Sequence, residues 1–491
     1  PLRRQRQMCI RDRVNDVINR NGIHSTRPPA NRAARLRRGT PHLSCRRSSI
    51  RGMSESTPAN TPAHLQSVDA DAWPGVASVP QPGRLRTRLA EAGFARACAK
   101  AGLSFEGDGA DLTVERAEVF QRIAASGWVG LAEGYMAGEW STGGSQQLVD
   151  VLTALLRTGY LPRTRRVDAV RPATPGELPP DLVAHFSGDG LSAFQGHFST
   201  GVATTERMRV KSHTKGAGRG REPRDHFVDV TEFGSPLESD RADLKDAQTR
   251  SVRAILDLLG AGAGTHLLEY PSGGGAVAFA AAERGATVDA VVRDARLYAA
   301  MREQLVLAGT DGSVTVDRIA EGPDAVAKQR RGVYDAVVSM EMLETMPRRQ
   351  QRQYLLAVDA LLGQGGRASL QTVVRAKAYN RTADLALESL RAYIWPGLHF
   401  TTAAEIGKTV DRETDLRVVA QTSAPEHLAA SLRLQRITFD GKLRDAAADG
   451  YDAVFRRLWV WQFALREAMA RLGMIDLAQI TLARRNRRGR R

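Results

Sequence analysis

A strand followed by a glycine turn is the clearest chemical motif in this sequence. In the stretch LEYPSGGGA, Glu269 ends an apolar run, and Gly273, Gly274 and Gly275 follow it. Such a turn lets a ligand approach the backbone at the N-terminus of the next helix. The spacing does not fit the G-x-G-x-x-G pattern of a dinucleotide site. An acidic residue before the turn suits a cofactor with a cationic amino-acid end, and S-adenosylmethionine (SAM) is such a cofactor.

Pro271 leaves a second interpretation of this turn open. Proline fixes φ near about −65° and removes an amide N–H that could face a ligand. The alternative to a cofactor site is therefore a tight strand-to-helix turn that binds nothing. If the turn works, we expect weak SAM binding through Glu269 and the backbone of Gly273–Gly275.

The elements around the turn predict an α/β fold. Residues 246–260 are expected to form a helix, since apolar residues recur at helical spacing and Gly260 ends the pattern. Short apolar runs then alternate with helical patterns, which is typical of a doubly wound sheet. These runs are THLLEY, TVDAVV, SVTVDRI, YDAVVSM and GRASLQTVV, with DLAQITLARR as the last strand. A helical insertion spans about residues 376–450.

The net charge of +16 is concentrated at the two ends of the chain. Residues 1–52 carry +12 and the basic tail, residues 484–491, carries +6, which leaves −2 for residues 53–483. A nucleic-acid-binding domain would carry its basic residues on the folded part of the chain. We therefore expect no nucleic-acid partner.

Composition divides the chain into segments. The arginine-rich residues 1–52 are interpreted as an artefactual upstream segment before a natural start at Met53, with a transit peptide as the alternative. The segments expected after it are a disordered lead-in (53–80), a mostly helical N-terminal domain (81–200), a mobile linker or lid (201–245) and the α/β domain (246–483). Cys98 is the only cysteine beyond residue 52, which excludes a disulfide framework and a cysteine-ligated metal site. No apolar run is long enough to span a membrane.

Several segments resemble the cyclopropane-fatty-acyl-phospholipid synthase and mycolic-acid methyltransferase family. They are GWVGLAEGYMAGEW, VVSMEMLETM, LRAYIWPGLHFTTAAEI, LRLQRITFDGKL and YDAVFRRLWVWQFALREAMARLGMIDLAQITLARR. The resemblance covers most of the chain between its two basic ends. It implies the Rossmann-like doubly wound sheet of a class I methyltransferase, preceded by a lipid-binding type of domain in residues 81–200.

The resemblance also implies a reaction. Members of this family transfer a methyl group from SAM to a cis double bond of a lipid acyl chain, and a bound bicarbonate removes a proton from the resulting cation. Loss of that proton closes a cyclopropane ring, while other fates give methyl-branched or oxygenated chains. The implied cofactors are SAM and bicarbonate, and the implied partners are phospholipid acyl chains. The protein would be cytoplasmic and peripheral at the inner membrane face, with an oligomer possible.

Individual residues take roles from the resemblance. Glu344 falls on the glutamate that binds bicarbonate, Ser235 on a Cys or Ser position of that pocket, and Gln371 on a position for His or Gln. Leu428 stands where the pocket has a tyrosine. The adjacent His427 is interpreted as a surface or capping histidine.

The cofactor motifs depart from the family pattern. The retained residues of the first motif are Glu269, Gly273 and Gly275, while Pro271 replaces a glycine. Asp294 is the candidate for a contact with the ribose. The family's lid motif corresponds to HTKGAGRG and keeps only His213.

Two hypotheses follow from this loss of ligand-facing motifs. The first, which we favour, is an active SAM-dependent lipid methyltransferase with an altered site. The second is a pseudo-methyltransferase that binds lipid or a partner subunit. In either case, the basic stretch Lys211–Arg224 and the arginine tail predict contact with anionic membrane surfaces.

Overall fold

The computed structural model describes residues 62–105, 109–162, 177–219 and 222–485. The chain divides into two compact units, Pro1–Ser78 and Val79–Arg491. In the first unit, the residues described within the expected lead-in form a 3-10 turn, Ala63–Leu65, and a short helix, Pro74–Ala77. The segment 1–52 lies outside the described residues, so its interpretation stays a prediction.

Eleven strands lie in the described part of the second unit. They are β1 (Thr113–Val114), β2 (Trp140–Ser141), β3 (Ala203–Lys211), β4 (Asp225–Phe233), β5 (His266–Glu269), β6 (Thr287–Val292), β7 (Val314–Arg318), β8 (Tyr334–Met340), β9 (Leu362–Arg375), β10 (Leu416–Ser423) and β11 (Ile475–Arg484). Strands β1 and β2 form a small antiparallel pair, and the other nine form one sheet.

The large sheet has the order β3-β4-β10-β11-β9-β8-β5-β6-β7. The five strands from β9 to β7 are parallel, whereas β11 runs antiparallel to both of its neighbours. Adjacent residues of β5 point to opposite faces: Leu267 packs in one apolar cluster and Leu268 in another. Apolar clusters on both faces confirm the predicted doubly wound sheet.

The helices of this unit cover the sheet and extend beyond it. They are α1 (Arg84–Ala101), α2 (Glu118–Ser126), α3 (Trp128–Ala137), α4 (Ser145–Arg157), α5 (Pro180–Ala184), α6 (Asp243–Leu259), α7 (Ala276–Glu283), α8 (Ala295–Ala308), α9 (Pro323–Gln329), α10 (Arg348–Leu361), α11 (Arg381–Tyr393), α12 (Ala403–Glu413), α13 (Pro425–Gly441), α14 (Leu443–Ala448) and α15 (Ala453–Arg471). None of the helices in the described part of the chain combines the length and the apolar character needed to cross a membrane.

The bounds and the buried face of helix α6 follow from its local sequence. Its buried face carries Val252, Ile255 and Leu256, the residues whose spacing predicted the helix. Gly260 ends the helix with φ of 65°, a conformation that glycine adopts without steric cost. The helix begins at Asp243, three residues before the start expected from sequence.

The N-terminal helices do not form a domain of their own, which corrects the boundary expected at residue 200. Trp128 and Leu152 share one apolar core with Trp461 and Phe463 of α15. Helices α2 and α3 meet closely, because a Cβ atom at Gly130 would lie 2.0 Å from the carbonyl oxygen of α2's Arg122. The apolar faces of these helices are therefore buried against the C-terminal helices of the same unit.

The expected linker or lid, residues 201–245, instead contains the β3–β4 hairpin and the start of α6. Every residue of β3 is exposed, so the strand lacks the apolar alternation by which a half-buried strand is recognised. The hairpin tip lies at the amino edge of the parallel strands, away from the glycine turn. There the His213 backbone N–H donates to Asp411 at 2.8 Å. His213 therefore does not cover the cofactor turn.

Two arginines of the expected basic tail belong to the fold. Arg484 ends β11 and donates to the backbone carbonyls of Asp359 and Leu362 at 2.5 and 2.7 Å. Arg485 is buried and pairs with Asp415 at 3.5 Å. These two side chains tie the end of β11 to the residues at the starts of β9 and β10. Only residues 486–491, outside the described part, stay candidates for a free basic tail.

Candidate active site

A cavity opens beside the carboxyl ends of β5 and β8. On the sheet side it is lined by Gly273 of the glycine turn, by Met340 at the end of β8, and by Glu341, Met342, Glu344 and Thr345, which follow it. The opposite walls come from helices α13 and α15 and from the loop after α11. Six aromatic side chains line it: Phe186, Phe194, Trp395, Phe400, Trp459 and Phe463. Because the site lies beyond the strand ends of a doubly wound sheet, it is where this fold binds ligands.

Helix α15 supplies one face of the cavity. Trp459, Phe463 and Arg466 follow one another at i, i+4 and i+7, which places them on the same side of the helix. Phe463 contacts Phe186 edge-on with a centroid distance of 5.3 Å. Trp459 contacts Trp395 at 6.2 Å. These ring contacts join three separate segments of the chain into one apolar wall.

Glu341 directly follows β8 and is held in a strained conformation. Its φ is 52°, which is uncommon for a residue other than glycine. One carboxylate oxygen accepts hydrogen bonds from the Gln195 backbone N–H at 2.6 Å and from Gln371 Nε2 at 2.9 Å. The other oxygen lies 3.8 Å from the Arg466 guanidinium. Burial raises the pKa of Glu341, and strain of this kind is found preferentially at functional sites.

Glu344, predicted from the sequence, lies on the cavity wall. Thr372 Oγ1 donates to Glu344 Oε2 at 2.7 Å, and the Val373 backbone N–H donates to Oε1 at 3.1 Å. Burial, together with the negative charge of nearby Glu341, raises the pKa of Glu344 to about 7. A carboxyl group that titrates near neutral pH is suited to proton transfer.

Of the other residues assigned to the bicarbonate pocket, Gln371 lies beside Glu341, while Ser235 and Leu428 do not line the cavity. Gln371 is buried and donates to Glu341 and to the Gln195 backbone carbonyl, at 2.9 and 2.8 Å. Ser235 is exposed just after β4 and does not line the cavity. Leu428 is buried in the same apolar cluster as Val373. The structure therefore brings Gln371 to the same carboxylate pair, but not Ser235.

The interpretation of His427 as a surface or capping histidine is wrong, because the residue is fully buried and both ring nitrogens meet backbone groups outside its own helix. Nδ1 accepts a hydrogen bond from the Phe198 backbone N–H at 2.9 Å, and Nε2 lies 3.0 Å from the Gly234 carbonyl oxygen. The neutral ring can satisfy both partners, since Nε2–H donates while Nδ1 accepts. His427 thus ties the start of α13 to two neighbouring backbone segments.

The glycine turn has one open side and one covered side. A Cβ atom at Gly273 would contact only the Met342 methyl group, at 3.4 Å, so Gly273 borders the cavity. Gly274 has φ of 132°, and its Cβ would lie 2.4 Å from the Leu191 carbonyl oxygen. Gly275, at φ of 86°, is the N-cap of α7. A ligand can therefore approach the turn at Gly273 but not at Gly274.

The buried Glu269 side chain stabilises the glycine turn from within the fold. Its side chain is 2% exposed and accepts a hydrogen bond from the Ala278 backbone N–H at 3.0 Å, which joins β5 to α7. Burial raises the pKa of Glu269 from 4.5 to about 7. The carboxylate points into the fold, so its contribution to a cofactor is indirect.

The raised pKa of Glu269 predicts a pH-dependent stability. The buried carboxyl costs nothing below about pH 4.5, where it is protonated in both states, and destabilises the folded state as pH rises through about 7. A shift of this size corresponds to on the order of 3 kcal/mol. The Tm of Glu269→Gln relative to wild type should therefore rise between pH 4.5 and 7 and then level off. The exposed Glu283→Gln is the control, and a difference independent of pH would contradict the assignment.

The sequence pointed to Asp294 just after β6, and the structure places another acidic residue, Glu177, beside it. The Asp294 carboxylate caps α8 by accepting from the backbone N–H groups of Arg296 and Leu297, at 2.8 and 3.0 Å. Glu177 accepts from the backbone N–H of Arg293 at 2.9 Å and of Asp294 at 2.7 Å. Sequence reasoning missed Glu177 because it lies in a proline-rich stretch without periodicity. Two carboxylates thus lie at the end of β6, and each already accepts hydrogen bonds from backbone N–H groups there.

These residues fit SAM as a ligand. The open side of Gly273 gives a cofactor access to the turn, and the acidic side chains of Glu341 and Glu344 line the adjoining cavity. Glu177 and Asp294 lie at the next strand end, on the side where the rest of the cofactor would extend.

The chain is similar to several known proteins. The chain is 28% identical over 431 residues to the tuberculostearic acid methyltransferase UfaA1 of Mycobacterium tuberculosis, covering 85% of this chain and 96% of the relative. The cyclopropane synthase MmaA2 of Mycobacterium tuberculosis is 19% identical, with 49% of this chain and 85% of that chain covered and a TM-score of 0.44. Coclaurine N-methyltransferase, solved with N-methylheliamine and SAH, is 13% identical, with 73% and 99% covered and a TM-score of 0.50.

The family assignment rests on the region that builds the cavity. A family model described as mycolic acid cyclopropane synthetase matches residues 235–480, half of the chain. This region includes the glycine turn, the carboxylate pair after β8 and the aromatic face of α15, which are the parts that the fold brings together. The chain therefore belongs to the mycolic acid cyclopropane synthetase family, a family of SAM-dependent methyltransferases.

Proposed function

We propose that the protein transfers the methyl group of SAM to a cis double bond of an unsaturated fatty-acyl chain, with bicarbonate as the base. The observation that carries this proposal is the aromatic cavity that runs from Gly273 past Glu344 to α15. A cofactor site and an apolar substrate site meet there, as a transfer between SAM and a lipid chain requires.

The walls of the cavity suit this substrate. Apolar and aromatic side chains can bury an acyl chain and exclude water, which would otherwise react with a cationic intermediate. The aromatic side chains that line the cavity can stabilise a positive charge that develops on the chain. The chain's own residues thereby favour a reaction that begins at a weakly nucleophilic alkene.

The bound cofactor would supply an electrophilic methyl group on a sulfonium centre. Gly273 and the backbone after β8 would hold its methionine end, and Glu177 with Asp294 would orient the ribose. Glu341, fixed by Gln371, would stabilise the positive charge at the mouth of the cavity. Glu344 would position the base and, because its pKa is raised, exchange a proton with it near neutral pH.

The product that we propose carries one additional CH₂ group. Closure of a ring gives a cyclopropane, and loss of a different proton gives an unsaturated branch of the same mass. The relative named tuberculostearic acid methyltransferase supports a methylated product, and the family description supports a cyclopropane. Both outcomes begin with the same methyl transfer.

The partner that we propose is the surface of a phospholipid membrane. Phe227, on the β3–β4 hairpin, is 56% exposed, and Lys211, Lys215 and Arg219 are exposed on the same hairpin. Each basic residue near an anionic surface contributes about 1 kcal/mol and is screened by salt. The hairpin tip lies at the edge of the sheet opposite the cavity, so this contact would hold the protein at the membrane but would not itself place an acyl chain in the cavity.

One experiment tests this function. The full chain is incubated with SAM, bicarbonate and anionic vesicles that contain oleoyl chains, and the released fatty acids are analysed by mass spectrometry. We expect chains one CH₂ heavier, formed in equal amount with S-adenosylhomocysteine. Sedimentation of the same vesicles should show binding that weakens as salt is raised. If SAM binds by calorimetry but no heavier chain forms, the methyltransferase proposal fails.

The second candidate function is a pseudo-methyltransferase that binds a lipid or a partner subunit. It is favoured by the Leu191 carbonyl, which covers Gly274, and by Glu177, which already bonds to the backbone at the end of β6. Both features fill space next to the cofactor turn. Calorimetry with SAM separates the two functions, because a pseudo-enzyme closed in this way would show no binding.

A further inference from the structure

Strand β3 is an end strand of the large sheet, and all nine of its residues are exposed. The helices described on the two faces of the sheet therefore leave this strand uncovered. The strand at the other end, β7, has only five residues and buries Val314 and Val316. A long, exposed edge strand presents a row of backbone groups that can pair with another strand. The edge of β3 is thus a candidate for an interface.

The pairing of β3 with β4 decides which backbone groups of β3 point outward. The Gly234 N–H donates to the Val202 carbonyl at 2.8 Å, and the Ser212 N–H donates to the Arg224 carbonyl at 3.0 Å. Both pairs continue the register of the two strands. Because bonded and non-bonded pairs alternate in antiparallel strands, the even-numbered residues of β3 bond to β4. The N–H and C=O groups that face the free edge therefore belong to Ala203, Thr205, Arg207, Arg209 and Lys211.

Exposed apolar side chains accompany this free edge. Val202, Met208 and Val210 are 65%, 49% and 37% exposed. Their even numbers place them on one face of the strand, because side chains alternate between the two faces. Exposed apolar residues that lie together often mark a site of protein association. Unpaired backbone groups and apolar side chains thus occur on the same strand.

The charge pattern of β3 fits a second copy of the same strand in one antiparallel register, centred on Thr205. In this register each Val202 lies opposite Met208 of the second copy. Each Arg207 lies opposite Ala203, whose small side chain leaves room for the arginine. A register centred on residue 206, 207 or 208 would instead place two glutamates or two arginines directly opposite each other, which is destabilising. A two-fold contact between identical strands requires such a self-complementary pattern.

We propose that β3 is a homodimer interface, at which a second copy of this chain adds its own β3 as an antiparallel strand centred on Thr205. The outward groups of Ala203, Thr205 and Arg207 would form about six hydrogen bonds between the two copies. These bonds would join the two nine-stranded sheets into one. Lys215 and Arg219, at the hairpin tip, lie beyond the paired residues and are left free for the membrane contact proposed above.

The proposed interface is separate from the candidate active site. The cavity borders the ends of β5 and β8, and β8 is the fifth strand from β3 in the sheet order. Pairing of two β3 strands therefore leaves the cavity unchanged. The dimer can be tested without SAM or lipid, and its failure would not count against the proposed methyl transfer.

Analytical ultracentrifugation of the full chain over a range of concentrations measures this association. We expect a dimer in the wild type and a dissociation constant at least about tenfold higher in Thr205→Pro, because one hydrogen bond is lost from each copy. The Thr205 N–H faces the free edge, so proline removes no bond to β4, and edge strands tolerate proline in this orientation. Thr205→Val is the matched control, since it keeps the N–H and should dimerise like the wild type.

Disulfide formation tests the register, in the full chain with Cys9 and Cys45 replaced by serine. The two Thr205 Cα atoms would lie about 5.5 Å apart, which a disulfide can span. Thr205→Cys should therefore give a covalent dimer on mild oxidation. Lys211 is also exposed but lies six positions from the centre, so its two copies would be roughly 40 Å apart. The control Lys211→Cys should stay unlinked.

Three results would overturn the proposal. The first is a monomer at every concentration, including one whose outward β3 amides exchange hydrogen slowly because another segment of the same chain covers the edge. The second is a dimer that Thr205→Pro leaves unchanged. The third is faster linkage through Arg207→Cys than through Thr205→Cys, which would show a different register. If Thr205→Pro melts far below the wild type, the cysteine variants decide alone.

Discussion

Glu344→Gln is expected to lower methyl transfer to the acyl chain at least about a hundredfold, which is the usual contribution of a group that moves a proton. The affinity for SAM should stay within about twofold of the wild type. Glu344 lies on the cavity wall and its hydrogen bonds come from Thr372 and Val373 of β9, not from the glycine turn. The substitution should therefore affect the substrate side of the site and spare the cofactor side.

Glutamine is suitable for this test because it preserves the shape of the site. Its carbonyl oxygen can still accept from the Val373 backbone N–H, and its amide can donate to the Thr372 hydroxyl, so we expect a folded protein with a Tm close to that of the wild type. The exposed Glu303→Gln is the matched control. Equal losses of turnover and SAM affinity would instead place Glu344 at the cofactor.

The central sheet could be predicted from sequence because its parallel strands are covered on both faces. Such strands are continuous apolar runs, and TVDAVV and YDAVVSM coincide with β6 and β8. Strand β10 was missed within the expected helical insertion. Its residues are partly buried without a regular alternation, and it lies between two helices, so its sequence gives no clear strand pattern. The hairpin strand β3 was missed because all of its residues are exposed, so its sequence lacks the alternation of apolar and polar residues that marks a half-buried strand.

The active site was predictable only where it follows a strand end. Glu344 lies in a short segment after β8, so the motif in the sequence also fixes its place in the fold. Arg466, Trp395 and Glu177 come from distant segments, and their positions depend on how α15, the loop after α11 and the segment before α5 pack against the sheet. In sequence, Arg466 is one charge in an amphipathic helix, and no local signal separates it from a solvated residue. Tertiary packing alone makes it part of the cavity.

Gly273→Val is expected to weaken SAM binding at least about tenfold, or about 1.4 kcal/mol, with little change in thermal stability. Gly273 lies where the glycine turn borders the cavity, and its φ is outside the left-handed region, so a side chain causes no backbone strain. Its Cβ would contact only the flexible end of Met342, at 3.4 Å. The added methyl groups would therefore enter the space proposed for the methionine end of the cofactor.

The choice of glycine decides whether this experiment reports on binding or on folding. Gly274 is unsuitable, because φ of 132° and the nearby Leu191 backbone would make any side chain destabilising. Gly312→Val is the matched control, since a Cβ there meets no atom within 4 Å and the residue is exposed. Calorimetry should show SAM binding in the control and a large loss in Gly273→Val, while both variants unfold within a few degrees of the wild type. Wild-type affinity in Gly273→Val would show that the cofactor does not reach the turn from the cavity side, and the proposed alignment of SAM with Glu341 and Glu344 would have to be abandoned.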